Sequence, residues 1–538
     1  MSDSKYAHSQ FWRIVVILSF IAIVIEYAET MLFPAIPDII RDFKSNYSSS
    51  SWVLSGYLIT AAVMAPLVGK LSDIYGKKKV LSVIMTIFAA SIAIAGFSSN
   101  MAILIAVRIV QGIGLSMFIM ALSIMQSSVP KEKYALANGI LASTYFSGSS
   151  IGLVLGGSII HYFEWRTIFF SLIPIVIVLL IIVIRFLHVK ENEELQERAY
   201  SISDKNNKKS KNEKEIEEKK KEEENNNNNS SKSNNYFINS PNVKNTFFKS
   251  LDIRGVVALA VTITLFLTTL TYMENDYAEN ESAAGDDNLI LIIGLLGSAV
   301  VSLILFIVAE KKATSPIVDL KLIVNKTIFP ILIMFLLLGF TMFMIYQTVP
   351  ILVTAPIPLG FGGSAITSSF VLLPFTLVFL VLSPIVGIMV GKFGNIKLFI
   401  AGSVISAVGY FSIFLFHSTE LEVSVSLAIV STGLALLNTI GMNIVMLSTP
   451  KQFGGITIGM VQVLMFIGMS IGPVVAGMYM QRYQESSVVD AISTSFPSSE
   501  AYDLIFLTAS TASLSFVVLA IILKRENPSS IAGPIDNQ

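Results

Sequence analysis

Apolar runs of about 20 residues recur along nearly the whole chain, and no other feature restricts its fold as tightly. An α-helix rises about 1.5 Å per residue, so such a run crosses the roughly 30 Å of hydrocarbon in a bilayer. Backbone N–H and C=O groups find no water there and must be satisfied within the element, as a helix does. The rule predicts fourteen spans, near 13–35, 49–70, 79–97, 101–127, 134–161, 166–187, 254–273, 288–309, 327–354, 364–391, 396–417, 423–449, 455–480 and 502–523. The first run, from Phe11, lacks a small-residue cleavage site and leads into further spans, so it reads as a retained helix.

Composition agrees, with 53% hydrophobic residues and only 14% charged, against about a quarter charged in soluble domains. Many of those charges crowd into 190–249, where Lys/Glu stretches such as Lys214 to Glu224 precede an asparagine run, Asn225 to Asn229. That segment buries too little apolar surface to offset ordering, so it reads as a flexible tether, with room for a short charged helix over 208–224. A formal net charge of zero gives no electrostatic case for nucleic acid. Cysteine is absent and the four histidines are scattered, which leaves no cofactor or metal site to expect. No nucleotide-binding glycine loop or serine nucleophile setting is visible, so an enzyme is not expected.

The cations orient the spans. With the N-terminus inside, Arg13, Lys77 to Lys79, Lys131, Lys133, Arg185, Lys311, Lys312, Lys392, Lys397, Lys524 and Arg525 all fall on the cytoplasmic side. The opposite side receives 274–287, with six acidic residues and no cation. The loops at 38–44 and 481–501 fall there too, the latter too polar to span. Both termini are therefore expected in the cytoplasm of a multi-pass cell-membrane protein.

Two parts of the chain recur. APLVGKLSDIYGKKKV at 65–80 aligns with SPIVGIMVGKFGNIKL at 383–398, a shift of 318. Gly148, Gly152 and Gly157 match Gly468, Gly472 and Gly477 at a shift of 320. The expected architecture is all-α: a six-helix bundle over 1–189, the tether over 190–253, two added helices over 254–326 and a second six-helix bundle over 327–538. Two such repeats around a midplane site suit alternating access.

Polar residues inside the spans are the candidate site. Glu26 and Glu29 share one face of the first helix, and Thr30, Phe33 and Pro37 extend it outward. A charged side chain in lipid costs at least a few kcal/mol, so both carboxyls must face protein or a wet cavity. Two crowded carboxyls that resist being charged together suit a reversible proton carrier. Arg108 in the fourth span needs a partner for the same reason, with Glu26 or Glu29 the natural one and Gln111 one turn on. Gly148, Gly152, Gly156 and Gly157 form a small-residue stripe on the fifth span, suited to close packing or to a hinge. In the second half, Tyr346, Gln347, Asn443 and Gln462 are polar groups placed to line a solute path.

With these residues in view, the chain resembles the major facilitator superfamily and, within it, the fourteen-span drug:proton antiporter group. The loop signature carries the likeness: Gly69, Asp73, Gly76, Lys77 and Lys78, followed by Arg108, Gln111, Gly112 and Gly114. Glu164-Trp165-Arg166, Asp252, Gly255 and the stretch Glu310 to Pro316 are also similar to the group. The resemblance implies that the signature loop braces the inward-closed state and that Arg108 takes part in proton coupling. It implies export of an amphipathic solute against protons, by a monomer whose partners are solute, protons and the bilayer. Proton-driven uptake is the alternative, with a channel or a sensor behind it. There are departures. Ala28 stands where the group has an aspartate, flanked by Glu26 and Glu29; Gly152-Leu153 replaces a Gly-Pro; and Gly391 replaces Asp73 in the second repeat.

Overall fold

The computed structural model describes residues 2–129, 131–187, 253–279, 286–312, 325–449, 454–489 and 492–526. The predicted tether at 190–249, with the charged helix expected over 208–224, lies outside the described residues, as do Asp252 and Pro316.

Several helices on the face predicted to be external open with polar caps, which satisfy amides that a helix start leaves free. Asn46 accepts from the Ser49 amide at 2.7 Å, and Asn100 from the Ile103 amide at 2.9 Å. Thr419 and Glu422 form a reciprocal capping box. The first half contains α1 (Ser2–Thr30), α2 (Ile36–Phe43), α3 (Tyr47–Tyr75), α4 (Lys77–Gly96), α5 (Met101–Gln111), α6 (Ser116–Ser128), α7 (Lys131–Tyr162) and α8 (Thr167–Phe186). Then follow α9 (Ile253–Glu279) and α10 (Asp286–Lys312). The second half contains α11 (Ile328–Thr354), α12 (Ala365–Phe393), α13 (Asn395–Leu415), α14 (Glu420–Ser448), α15 (Gly454–Arg482) and α16 (Ser499–Glu526).

Among the described residues, 12 helical segments are long and apolar enough to cross a membrane. Helices α7 and α9 occupy the fifth and seventh predicted positions, and α9 carries a shorter apolar run, Val257–Thr269. Three local features differ from the sequence reading. The 38–44 loop is helical, as α2, entered through a 3-10 turn at Phe33–Ala35. The fourth span is broken by a 3-10 turn at Gly112–Leu115. The 481–501 segment, predicted to be external, contains an antiparallel hairpin of β1 (Gln484–Val489) and β2 (Ile492–Pro497), an exception to the all-helical expectation.

The repeat seen in sequence is a repeat of packing. Gly148, Gly152 and Gly156 lay α7 against the backbone of α1 at Ile23, Tyr27 and Met31. In the second half Gly468 and Gly472 lay α15 against Leu336 and Phe340 of α11. Across the seam between halves, α7 meets α12 and α15 meets α3. The signature loops also match: Gly76 (φ +91°) ends α3 and Gly394 (φ +75°) ends α12, each in a region that side chains rarely tolerate. That shared turn reverses the chain within a single residue, which explains why glycine recurs at both sites.

The added pair packs on one side of this seam. Leu259, Ile263 and Leu267 of α9 and Phe306 of α10 are buried against Ile59 of α3 and Val463 and Val474 of α15. Thr262 donates to the Ser302 hydroxyl at 2.9 Å, joining α9 to α10.

A polar clamp holds the end of the first half that is predicted to be external. Asp42 accepts from Trp165 Nε1 at 3.1 Å and Arg166 Nη1 at 2.7 Å, while Arg166 Nη2 donates to the Ser98 carbonyl at 3.1 Å. The guanidinium also lies 4.3 Å from the centre of the Trp165 ring. Arg166→Ala removes the donors and strands part of that network, so a loss of about 1–2 kcal/mol is expected. A thermal melt of the purified protein reads it as a drop of a few degrees, and an unchanged melt would remove the clamp from the stability argument.

Candidate functional site at the seam

Close helix contact builds the site. Gly112 rests against the Tyr57 carbonyl, where a side chain has no room, so α5 and its turn settle onto α3. That approach carries Arg108, fully buried, over the Tyr57 ring at 4.0 Å. Its Nε donates to the Val53 carbonyl at 3.2 Å and its Nη1 to Gln111 Oε1 at 2.6 Å. Nη2 has no hydrogen-bond partner among the described residues.

On α1, Glu26 is 5% exposed and Glu29 2%. Gly148 permits this burial, since a Cβ there would lie 3.0 Å from Glu26 Cβ. Thr30 donates to the Glu26 carbonyl at 2.8 Å and to the Ser149 carbonyl at 3.1 Å, tying α1 to α7. The Tyr145 hydroxyl of α7 donates to the Glu26 carboxyl. The other Glu26 oxygen, Oε2, and both oxygens of Glu29 receive no hydrogen bond from a donor group among the described residues, and the two carboxyls lie within hydrogen-bonding reach of each other, a contact that needs a proton on one of them. The two carboxyls feel each other's charge, and Glu29 also feels Arg108. The expected carboxylate–arginine relation is therefore electrostatic here, without a hydrogen bond between the unpartnered atoms.

The second half closes over this group. Tyr346 on α11 shares a hydrogen bond with Ser149, stands within the field of Glu26 and stacks on Phe33 with ring centres 4.4 Å apart. Phe343 and Phe375 meet the Tyr346 ring edge-on at 5.5 and 5.4 Å. Further out, Gln347 Nε2 donates to Ser50 at 3.2 Å, Ser150 to Thr376 at 3.0 Å, Ser55 to the Ser470 carbonyl at 2.7 Å, and the Tyr47 amide to Gln481 at 3.2 Å. These bonds join the halves at the level of the carboxyls and from there toward the end predicted to be external. At the other end, a Cβ built on Gly69, Gly387, Gly391 or Gly459 would meet nothing within 4 Å.

The structure thus gathers Glu26, Glu29, Thr30, Arg108, Gln111, Tyr346 and Gln347. It places Asn443 elsewhere, donating to Asn395 at 2.8 Å near the predicted cytoplasmic end. Lys77 donates to the Ser123 carbonyl at 3.0 Å at the matching place in the first half. Gln462 is half-buried on α15. Asp73 lies in the last turn of α3, but its side chain lies outside the described residues. Gly157 abuts Ala365 and Ser369 of α12, so it belongs to the seam rather than to the α1 contact of its neighbours. Sequence reasoning missed Tyr57 and Tyr145. Each is a tyrosine within an apolar helix, whose hydroxyl needs a polar destination, and that was the available signal. Among the described residues, no group of three or more His, Cys, Asp or Glu residues could hold a metal ion.

The Major Facilitator Superfamily profile matches residues 18–473 and again 331–537. The chain belongs to this superfamily. Multidrug transporter protein MdtP of Bacillus subtilis is 24% identical over 418 residues, 78% of this chain and 64% of its own length. The tetracenomycin C resistance and export protein of Streptomyces glaucescens is 23% identical, over 84% of this chain and 72% of that one. The chain spans less than two thirds of MdtP, and the match to multidrug resistance protein 3 of Bacillus subtilis covers 57% of that relative. Solved structures share the fold. A D-xylose-proton symporter superposes with a TM-score of 0.60 over 96% of this chain and 98% of that one, at 12% identity. A mutant of the nucleoside transporter NupG superposes with a TM-score of 0.58 over 96% and 99% of the two chains, at 12% identity. The twelve long apolar helices among the described residues agree with a multi-pass membrane protein of this superfamily.

Proposed function

We propose that this superfamily member moves its solute by alternating access, with Glu29 and Glu26 taking up and releasing the coupling protons. One observation carries the reading: among the described residues two buried carboxyls meet each other with no donor group on three of their oxygens, beside an arginine whose own Nη2 is unpartnered. A buried charge in that position is expensive, and a proton on the carboxyl removes it. Proton occupancy would therefore alter the balance between Glu29 and Arg108, and with it the preference for one arrangement of the halves. Helices α7 and α9 would complete a fourteen-span architecture, with both termini cytoplasmic and the closed seam external. In that orientation the described arrangement is sealed outside, and the protein would act as a monomer.

Export and uptake both use this geometry. Export of an amphipathic or drug-like solute draws support from the multidrug transporter and the resistance and export protein among the relatives. Uptake by symport is supported by the layout of the site, where the aromatic group around Tyr346 adjoins the carboxyls yet is distinct from them. That layout offers solute and proton separate, adjoining places once the halves part. The test is reconstitution into vesicles with an imposed pH gradient and a broad solute panel. Accumulation that follows the proton gradient assigns symport, accumulation against it assigns exchange, and flux indifferent to it overturns the coupling proposal.

A further inference from the structure

A groove of about 590 Å³ lies between α4 and α8, far from the carboxyl cluster and on the outward-facing side of those helices. Its lining is one face of α4, with Lys78, Ser82 and Thr86 along one helical row and Lys79, Val83 and Ile87 along the next, completed by Ile184 of α8. Charge and apolarity are separated along it. The lysines occupy the end at the predicted cytoplasmic interface with Ile184 (54% exposed) beside them, and Val83 (52%) and Ile87 (37%) run from there toward the bilayer interior. Among the described residues no acid lines the groove, and Arg185, the residue after Ile184, adds an exposed cation beside it.

Lys78 is held in place locally. Lys78 Nζ donates to the Ile184 carbonyl at 2.8 Å, which pins the start of α4 to the end of α8 and fixes the width of the groove. Ser82 and Thr86 donate to backbone carbonyls of α4 at 2.9 and 2.8 Å, leaving their oxygens as acceptors on the groove wall. Three lysines at Lys77 to Lys79 and no acid occupy the first turn of α4. This is the reverse of what a helix start prefers, since its positive dipole end repels them. Asp73, in the last turn of α3, is the nearest acid in sequence, and a further anion seated at this end adds to the relief of that repulsion.

We propose that this groove seats an anionic phospholipid, with its phosphate on Lys78 and Lys79 and an acyl chain along Val83, Ile87 and Ile184. The chemistry matches at both ends. A cation near a membrane surface attracts anionic headgroups by about 1 kcal/mol per residue, and an apolar furrow accepts a chain that is already in the hydrocarbon. Because the lipid would bridge α4 and α8, both in the first half, it would brace that half without crossing the seam.

The test is native mass spectrometry of the purified full chain with added phosphatidylglycerol or phosphatidylcholine of matched acyl chains. The wild type is expected to retain one phosphatidylglycerol with about a tenfold preference. Lys79 is exposed, so Lys79→Gln leaves the packing intact; it is expected to erase most of that preference, while Lys79→Arg keeps it. Ile87→Trp fills the furrow and is expected to lower retention of the same lipid. Equal retention of both lipids by the wild type overturns the proposal, as does a preference that survives Lys79→Gln. Loss with Lys79→Gln but none with Ile87→Trp overturns the seated chain, because headgroup attraction alone would then explain it. None of these readings depends on flux, so they stand apart from the coupling proposal.

Discussion

Glu29→Gln is expected to reduce gradient-driven flux in proteoliposomes on the order of a hundredfold, the loss seen when a positioned proton carrier is removed. Glutamine keeps the shape of the side chain but takes no proton at working pH, so the arginine beside it faces a neutral group in every state. Folding gives a separate readout. No donor group reaches either Glu29 oxygen among the described residues, and a glutamine amide can keep the contact with Glu26. The substitution removes a buried charge but leaves Arg108 less compensated, so the melting temperature should hold within a few degrees. A structural carboxylate would behave differently, since losing a satisfied buried acceptor lowers stability. Glu26 accepts from Tyr145, and Glu26→Gln is expected to lose less flux than Glu29→Gln while melting lower. Wild-type driven flux in both variants would defeat the proton-carrier assignment, whatever their stability.

How much of this was legible beforehand differs by kind of information. Span positions were readable because the hydrocarbon thickness sets one length for every helix. The repeat was readable at Gly76 and Gly394, where a positive φ holds glycine in place, and along Gly148 and Gly468, where backbone contact does. Glu26, Glu29 and Arg108 stood out because burial makes each costly. Their arrangement was not readable, because spacing on one helix says nothing about which face a second helix presents. Asn443 shows the limit: its polarity inside an apolar run suggested a cavity wall, yet its amide is spent on Asn395 between α14 and α13. Tyr57 and Tyr145 show the converse, since an apolar body hides a polar role until the neighbours are known. The helix α2 was missed because its short amphipathic run, Ile36–Phe43, carries charges that read as a loop.

Leucine at both Gly157 and Gly477 is expected to pry the seam open on the external side. A Cβ on Gly157 would overlap the Ser369 hydroxyl and lie 2.8 Å from the Ala365 carbonyl. On Gly477 it would overlap the Ser51 hydroxyl and lie 3.2 Å from the Tyr47 carbonyl. A hydroxyl can rotate away, but the carbonyl belongs to a helix and yields only if the helix moves. Overpacking of this kind costs about 1–3 kcal/mol per site, and it is charged only to the closed arrangement. The better helix propensity of leucine, about 1 kcal/mol over glycine, cancels because α7 and α15 stay helical in both arrangements. The pair should therefore shift the equilibrium toward external opening by roughly tenfold or more, at about 1.4 kcal/mol per tenfold. The chain contains no cysteine, so a single introduced thiol reports without background. Ser55 is fully buried at the seam, and Ser55→Cys is expected to react with a membrane-impermeant maleimide at least about tenfold faster in the double-leucine protein. Gly152→Leu is the control, since its clash is with Tyr27 and Thr30 within the first half. It should lower stability without raising the labelling rate. Equal labelling in the double-leucine and unmodified backgrounds would mean that this seam is not the external gate.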